Sequence, residues 1–390
     1  MLPERVISHA DFRRHAKRRL PHVLFDYVDG GAYDELTMER NRAGLTHMLL
    51  RQRVLCDMSS VRMETRLAGV DATMPVVLAP VGFAGMLARR GEVQAARAAQ
   101  AAGVPFTLST VGICAAEEVT NAVEPPWMQL YMIRDRAFMR DLLQRTWALG
   151  SRQLVFTVDL PAPGARYRDV RSGMSAQQNW RGSLRRAIDG LAHSGWLLDV
   201  YMSGRPHSFG NLAGAGIDMS SFATAWGWMR ANFDASVSWP DVAFVRQNWP
   251  GAILLKGILD VEDARMAVDA GVDGIVVSNH GGRQLDGVRS SIEALPPIAD
   301  AVDGRLDVLM DGGIVSGLDI LKALANGARG CMLGRAWAFA LAAGGEEGVS
   351  RMLSRIRDEL RLAMIMTGCK DVRTAGRHLI DCKALGHAHL

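Results

Sequence analysis

From residue 74 onward one pattern of apolar and polar positions repeats along the chain. A short apolar run is followed by a turn and then by an amphipathic segment. Predicted strands cover 76–80, 106–109, 127–131, 154–158, 253–256, 274–278, 308–311 and 330–333. Between most of them, as at 92–102, 135–149, 261–270, 291–301 and 318–325, apolar residues recur at helical spacing. Continuous apolar runs mark strands covered on both faces, as in parallel sheets. Eight such units predict an α/β fold, a closed (β/α)8 TIM barrel. A doubly wound open sheet would call for a GxGxxG turn after its first strand, and Val81-Gly82-Phe83-Ala84-Gly85 does not supply one.

Two segments break the rhythm. Residues 1–72 read as helical, with a Gly30-Gly31 turn after Tyr27. Residues 174–239 form a long insertion after the fourth strand and hold five of the nine tryptophans: Trp180, Trp196, Trp226, Trp228 and Trp239. Such an insertion is either a lid with buried tryptophans or an interfacial membrane contact. The whole chain, 1–390, therefore reads as one domain. It comprises an N-terminal helical segment (1–72), the barrel with its insertion (73–345), and a C-terminal helix and tail (346–390).

Composition narrows the function. The chain has 45 Lys plus Arg against 41 Asp plus Glu, too even a balance for a nucleic-acid binder. Two local basic clusters remain: Arg13, Arg14, Lys17, Arg18 and Arg19, then Arg181, Arg185 and Arg186. Each is either a solvated helix face or a point of attraction to an anionic membrane. The five cysteines lie far apart without metal-ligand spacing, which argues against a disulfide framework and a metal site and suits a reducing compartment. Residues 1–11 lack the apolar core of a signal peptide, and the uncharged stretch 74–88 is too short and too broken to span a bilayer.

Candidate chemistry collects at the C-terminal strand ends, where barrel enzymes place their active sites. These ends carry Gln129 and Tyr131, Thr157 and Asp159 with Arg166 soon after, Lys256, Ser278 through Arg283, Asp311-Gly312-Gly313, and Gly334-Arg335. A lone histidine or lysine there would be unremarkable, but convergence from six strands is not. The glycines after the last two strands let backbone N–H groups approach an anion beside helix N-termini, which suggests phosphate.

The run Ser278-Asn279-His280-Gly281-Gly282-Arg283-Gln284-Leu285-Asp286-Gly287 resembles the signature of the FMN-dependent 2-hydroxy-acid oxidases and dehydrogenases. The resemblance covers nearly the whole chain. It is closest to the bacterial membrane-associated L-lactate dehydrogenase branch, through Leu50-Arg51-Gln52-Arg53-Val54-Leu55, Ala88-Arg89-Arg90-Gly91-Glu92, Pro163-Gly164-Ala165-Arg166-Tyr167-Arg168-Asp169 and Gly204-Arg205-Pro206-His207. It implies His280 as base with Asp159 as its partner, and Tyr27, Tyr131, Arg166 and Arg283 around the substrate. It implies FMN held by Ser109, Gln129, Thr157, Lys256, Ser278, Asp311, Gly312, Gly313, Gly334 and Arg335. It further implies oxidation of L-lactate to pyruvate, with quinone or another membrane acceptor taking the electrons. The protein would be a homo-oligomer in the cytoplasm, peripherally bound to the inner face of the cell membrane. One position departs from the family: an arginine usually follows the glycines after the seventh strand, and this chain has Val315.

The chemistry suits the residues independently. A 2-hydroxy acid presents a carboxylate, which planar arginines grip in two places. Its oxidation releases two protons and two electrons, and a histidine titrates in the right range to take one proton. A lysine near the flavin would stabilise negative charge electrostatically. Competing readings are an (S)-mandelate or other L-2-hydroxy-acid dehydrogenase or oxidase, a lyase with a Schiff base on Lys256, and a non-catalytic phosphate-binding barrel.

Overall fold

The computed structural model describes residues 2–174, 180–212, 227–228 and 231–381. An antiparallel hairpin, β1 (Thr65–Leu67) and β2 (Val70–Ala72), precedes eight parallel strands. These are β3 (Val76–Leu78), β4 (Thr107–Leu108), β5 (Trp127–Tyr131), β6 (Gln153–Thr157), β7 (Ala252–Ile258), β8 (Gly274–Val277), β9 (Asp307–Met310) and β10 (Gly330–Leu333). Neighbours pair in the order β3-β10-β9-β8-β7-β6-β5-β4. A parallel bridge between Leu78 and Phe106 joins the first strand to the last and closes the barrel. The expected fold class is the observed one.

Strand periodicity explains how this scaffold makes a site. Successive side chains on a strand point to opposite faces. Val77, Trp127, Val155, Leu254, Val276, Leu309 and Met332 form one buried cluster inside the barrel. Their neighbours, such as Leu78, Met128, Phe156, Leu255, Val277 and Met310, pack outward in the larger core with the helices. Two residues beyond the interior set, on the same face, come Gln129, Thr157, Lys256, Ser278, Asp311 and Gly334. The barrel interior is therefore apolar below and polar at its C-terminal rim. Several strands end one residue before these polar positions, where the chain leaves the ladder for the rim.

The N-terminal segment is helical only in part. Helices α1 (His9–Arg19), α2 (His22–Asp29) and α3 (Leu36–His47) are present, and α1 starts from a Ser8–Asp11 capping box. Beyond them the expectation of helix fails, because residues 65–72 form the β1–β2 hairpin. Its two-residue loop, Ala68-Gly69, is left-handed at both positions (φ +46° and +83°), the turn that suits hairpin twist. The hairpin plugs the barrel floor: Leu67 is fully buried in the interior cluster, and the Ala68 N–H donates to Asp307 Oδ2 at 2.8 Å. At the other end, helix Arg335–Thr367 breaks at Gly344 and Gly345, so its second half begins where the C-terminal helix was expected.

In the insertion, the described tryptophans pack inward. Trp196 is buried and donates its indole N–H to the Met86 carbonyl at 2.8 Å, and Trp228 meets the Phe138 ring edge-on at 5.6 Å. Trp239 packs partly buried against the core. Trp226 and the Trp180 side chain lie outside the described residues. The first basic cluster is not simply a solvated face either: Arg13 pairs with Asp29 at 2.5 Å and Arg19 with Asp199 at 3.3 Å. The Arg181 and Arg185 side chains of the second cluster lie outside the described residues.

Because Leu67 fills the floor, far from the rim, Leu67→Ala should lower folding stability by roughly 2–5 kcal/mol while leaving turnover below the melting temperature near wild type. Thermal unfolding together with steady-state rates at low temperature checks this.

Candidate active site

The run after β8 turns left-handed at three consecutive residues: His280 (φ +58°), Gly281 (φ +64°) and Gly282 (φ +73°). Such a backbone is costly for histidine and natural for glycine. A Cβ on Gly282 would sit 2.6 Å from the Met38 backbone nitrogen. Asn279 holds the turn, accepting from the Gly282 N–H at 3.1 Å and exchanging two 2.8 Å amide bonds with Asn41 of α3. Asp286 caps the N-terminus of α3 through the Leu36 and Thr37 N–H groups. The segment thus aims His280 into the rim and pins an N-terminal helix beside it.

His280 Nδ1 meets Asp159 Oδ1 at 2.9 Å, and Nε2 remains for a substrate. Burial lowers the imidazole pKa, helped by the charges of Lys256 and Arg166, and Asp159 opposes them. The ring is therefore neutral and basic near pH 7. Burial would raise the Asp159 pKa, but His280 and Lys256 draw it below the ordinary carboxylate range. Gly257 (φ +113°) makes room for this pair, since a Cβ there would lie 2.5 Å from Asp159 Cβ and Cγ.

Lys256 Nζ lies 2.7 Å from Asp311 Oδ2 and donates to Ser278 Oγ at 3.0 Å. Burial would lower its pKa, but Asp311 and Asp159 raise it, so the amine is held as a cation. A permanently protonated lysine is the wrong form for a Schiff-base nucleophile, which disfavours the lyase reading.

Arg166 and Arg283 converge from different loops. Arg283 Nη1 donates to the Tyr27 and Gly30 carbonyls, both at 2.7 Å, and its guanidinium lies 5.0 Å over the Tyr27 ring. Arg166 Nε donates to the Arg283 carbonyl at 3.3 Å, while Asp169 approaches Nη1 no closer than 3.8 Å. Burial, then Arg283, push the Arg166 pKa down to about 10. Two adjacent cations short of counter-ions make an anion site. Tyr27 and Tyr131 stand beside them, their phenols held protonated by burial.

One cavity of about 790 Å3 gathers Tyr27, Tyr131, Thr157, Arg166, Lys256, His280, Arg283, Asp311, Gly312, Gly313, Gly334 and Arg335. Asp159 reaches this group through His280. Ser109, Gln129 and Ser278 stand behind the lining: Gln129 bridges Thr110 N–H (3.1 Å) and Thr157 Oγ1 (3.0 Å), and Ser109 Oγ lies 3.3 Å from its carbonyl oxygen. Ser278 Oγ links Lys256 to the His280 N–H. Sequence reasoning missed the wall formed by His9, Arg13, Asn41 and Arg42, which also line or brace the cavity. Nothing in their local pattern separates them from ordinary surface helix residues.

The family described as FMN-dependent dehydrogenase matches residues 16–382. The chain is 54% identical over 376 residues to an L-lactate dehydrogenase of Caulobacter vibrioides, covering 96% of this chain and 97% of that one. It is 53% identical over 368 residues to an L-lactate dehydrogenase of Pectobacterium atrosepticum, covering 94% and 95%. Among solved structures, a monotopic membrane protein, (S)-mandelate dehydrogenase, superposes with a TM-score of 0.90 at 32% identity, covering 97% and 100%. A mandelate oxidase superposes at 0.81 with 38% identity, covering 96% and 98%.

The chain belongs to the FMN-dependent dehydrogenase family. Its cavity fits that cofactor. Asp311 Oδ1, on the cavity wall, is buried without a hydrogen-bond partner among the described residues, as expected of a group that awaits a polar ligand. Gly312 and Gly313 let the loop press against its neighbours, since Cβ atoms there would fall 2.8 Å from Ser291 Oγ and 2.6 Å from the Asn41 carbonyl, while a Cβ on Gly334 would meet nothing within 4 Å, which leaves open space for a ligand in the cavity wall.

As His280 acts neutral with a lowered pKa, the acid limb of kcat/KM should lie below about pH 6.5. Asp159→Asn removes the charge that raises that pKa, so the limb should move to still lower pH as the plateau falls. A pH–rate profile of both proteins checks the sign.

Proposed function

We propose that this FMN-dependent dehydrogenase oxidises L-lactate to pyruvate at the rim, with His280 as the base. The observation that carries this reading is the His280–Asp159 pair set against Arg166 and Arg283, two cations that share one loose carboxylate, Asp169, 3.8 Å from Arg166. The arginines take the substrate carboxylate, fixing the pose in which proximity effects operate. Tyr27 and Tyr131 flank the same space and offer phenol O–H donors to the carboxylate and hydroxyl. His280 Nε2 accepts a proton, and Asp159 orients the ring and stabilises the imidazolium that results. Lys256, held cationic, stabilises negative charge that develops opposite it. Gln129, Thr157 and the phosphate-loop glycines would hold the cofactor. Bound FMN supplies the two-electron acceptor. Two protons and two electrons leave the hydroxy acid, which balances its conversion to the oxo acid.

The relatives' names favour lactate, and the mandelate enzymes among the solved structures keep an aromatic hydroxy acid as the second reading. An absorption spectrum before and after anaerobic substrate decides between them. L-lactate should bleach the flavin and D-lactate should not; bleaching by mandelate alone would change the substrate and keep the mechanism. His280→Gln should slow the reductive step by about 10²–10⁴ without loss of bound FMN.

The proposal extends to a homo-oligomer that delivers electrons to quinone or another acceptor at the inner face of the cell membrane. No helix among the described residues is long and apolar enough to cross a membrane. Support for surface contact comes from helix Trp180–Ala192, where Leu184, Ile188 and Leu191 recur at helical spacing and are 54–67% exposed. Leu198, Tyr201 and Met202 continue the exposed apolar surface. Such a face can lie in the interfacial layer. Replacing Leu184, Ile188 and Leu191 with serine should release the protein from anionic vesicles in a flotation assay while sparing lactate oxidation with a soluble dye. Undiminished vesicle binding would contradict the assignment.

A further inference from the structure

The glycine-rich loop after β9 lines the cavity but lacks the arginine that the family resemblance leads one to expect there. Gly312 and Gly313 are left-handed (φ +96° and +81°) and pack the loop tightly against Ser291 and Asn41. The next positions are Ile314 and Val315, so the arginine expected of the family at 315 is replaced by an uncharged side chain.

Arg42, from α3, reaches the same place by another route. Its Nη1 donates to the Gly313 carbonyl at 2.5 Å and to Asp319 Oδ2 at 2.9 Å. That same carboxylate oxygen accepts from the Val315 N–H at 3.0 Å. The guanidinium therefore lies against the backbone of Gly313 and is joined through Asp319 to the N–H of Val315, the residue that stands where an arginine was expected. Its Nε and Nη2 make no hydrogen bond among the described residues. Arg42 lines the cavity together with Gly312, Gly313, Gly334 and Arg335.

This position is imposed by the fold. Asp286 caps the first turn of α3, and the paired amides of Asn41 and Asn279 fix the helix one residue before Arg42. The electrostatics agree. His9 faces the same cavity, and its pKa is pushed down to about 4, by burial first and then by Arg42, Arg13 and Arg335, with Asp319 opposing. Cations from α1, α3 and the start of helix Arg335–Thr367 thus converge on one end of the cavity.

We propose that Arg42 is a phosphate-binding residue of this chain, supplying from α3 the charge that the family supplies from position 315. The proposal rests on the FMN reading. A purely structural role, bracing Asp319, is the alternative, and the two differ in one readout. Riboflavin is FMN without its phosphate, so the ratio of riboflavin to FMN dissociation constants isolates the phosphate contribution.

The test titrates flavin fluorescence with apoprotein prepared from the holoenzyme. Wild type should bind FMN far more tightly than riboflavin. Arg42→Gln should lower that ratio by about tenfold, the modest end for a charge-assisted hydrogen bond, because the side chain is 45% exposed. Adding Val315→Arg to Arg42→Gln should restore the ratio. Should Arg42→Gln not fold, Arg42→Lys carries the test: one ammonium in place of a two-pronged donor should lower the ratio severalfold. An Arg42→Gln ratio equal to wild type, whether both affinities fall together or neither falls, would overturn the proposal, as would an unchanged ratio in Arg42→Lys. A wild type that does not prefer FMN over riboflavin would instead overturn the cofactor reading beneath it.

Discussion

The arginines at the barrel rim give their hydrogen bonds mainly to backbone carbonyls rather than to carboxylates, and this constraint organises the site. Arg283 gives its hydrogen bonds to the Tyr27 and Gly30 carbonyls. Arg335 gives its own to those of Val28, Gly30 and Gly281. Carbonyls satisfy the donors of a guanidinium but do not cancel its charge, and an uncompensated charge away from water is costly. Burial and then Arg283 push the Arg335 pKa down to about 9. Among these groups Lys256 has a close carboxylate, Asp311 at 2.7 Å, and Arg166 a looser one, Asp169 at 3.8 Å. The remaining cations call for anions from outside, a carboxylate at Arg166 and Arg283 and a phosphate at the glycine loops.

This arrangement makes the N-terminal helices part of the active site. All but one of the carbonyls that hold Arg283 and Arg335 belong to residues 27–30, at the end of α2, the exception being that of Gly281. Asn41 braces the left-handed turn that presents His280, and that turn's Asp286 in turn caps α3. The signature run is therefore both a catalytic element and the joint that docks α2 and α3 on the barrel. Its glycines serve close approach as much as conformation, Gly282 being pressed against Met38.

The barrel and its polar rim were legible in the sequence because a parallel barrel imposes a simple period. An inward apolar residue such as Leu254 is followed two positions on by Lys256, and Leu309 by Asp311, so the chemistry marks its own strand ends. The hairpin at 65–72 was not legible, since three-residue strands carry too little pattern. The tryptophans of the insertion left a packed lid and a membrane contact open, and the described ones fit the first: Trp196 and Trp228 pack against the body, and the exposed apolar face belongs to Leu184, Ile188 and Leu191. Arg42 and His9 were invisible because their roles arise from contacts hundreds of residues away in sequence. Only the missing arginine at Val315 hinted that a charge had to come from elsewhere.

The central claim is that Arg166 and Arg283 form an anion site beside a neutral base. It is tested most directly by comparing kcat/KM for L-lactate with that for L-lactamide, a neutral substrate of the same size and handedness. A buried charge pair lost in this way should cost the amide at least about a hundredfold. Similar values for the two substrates would contradict the account.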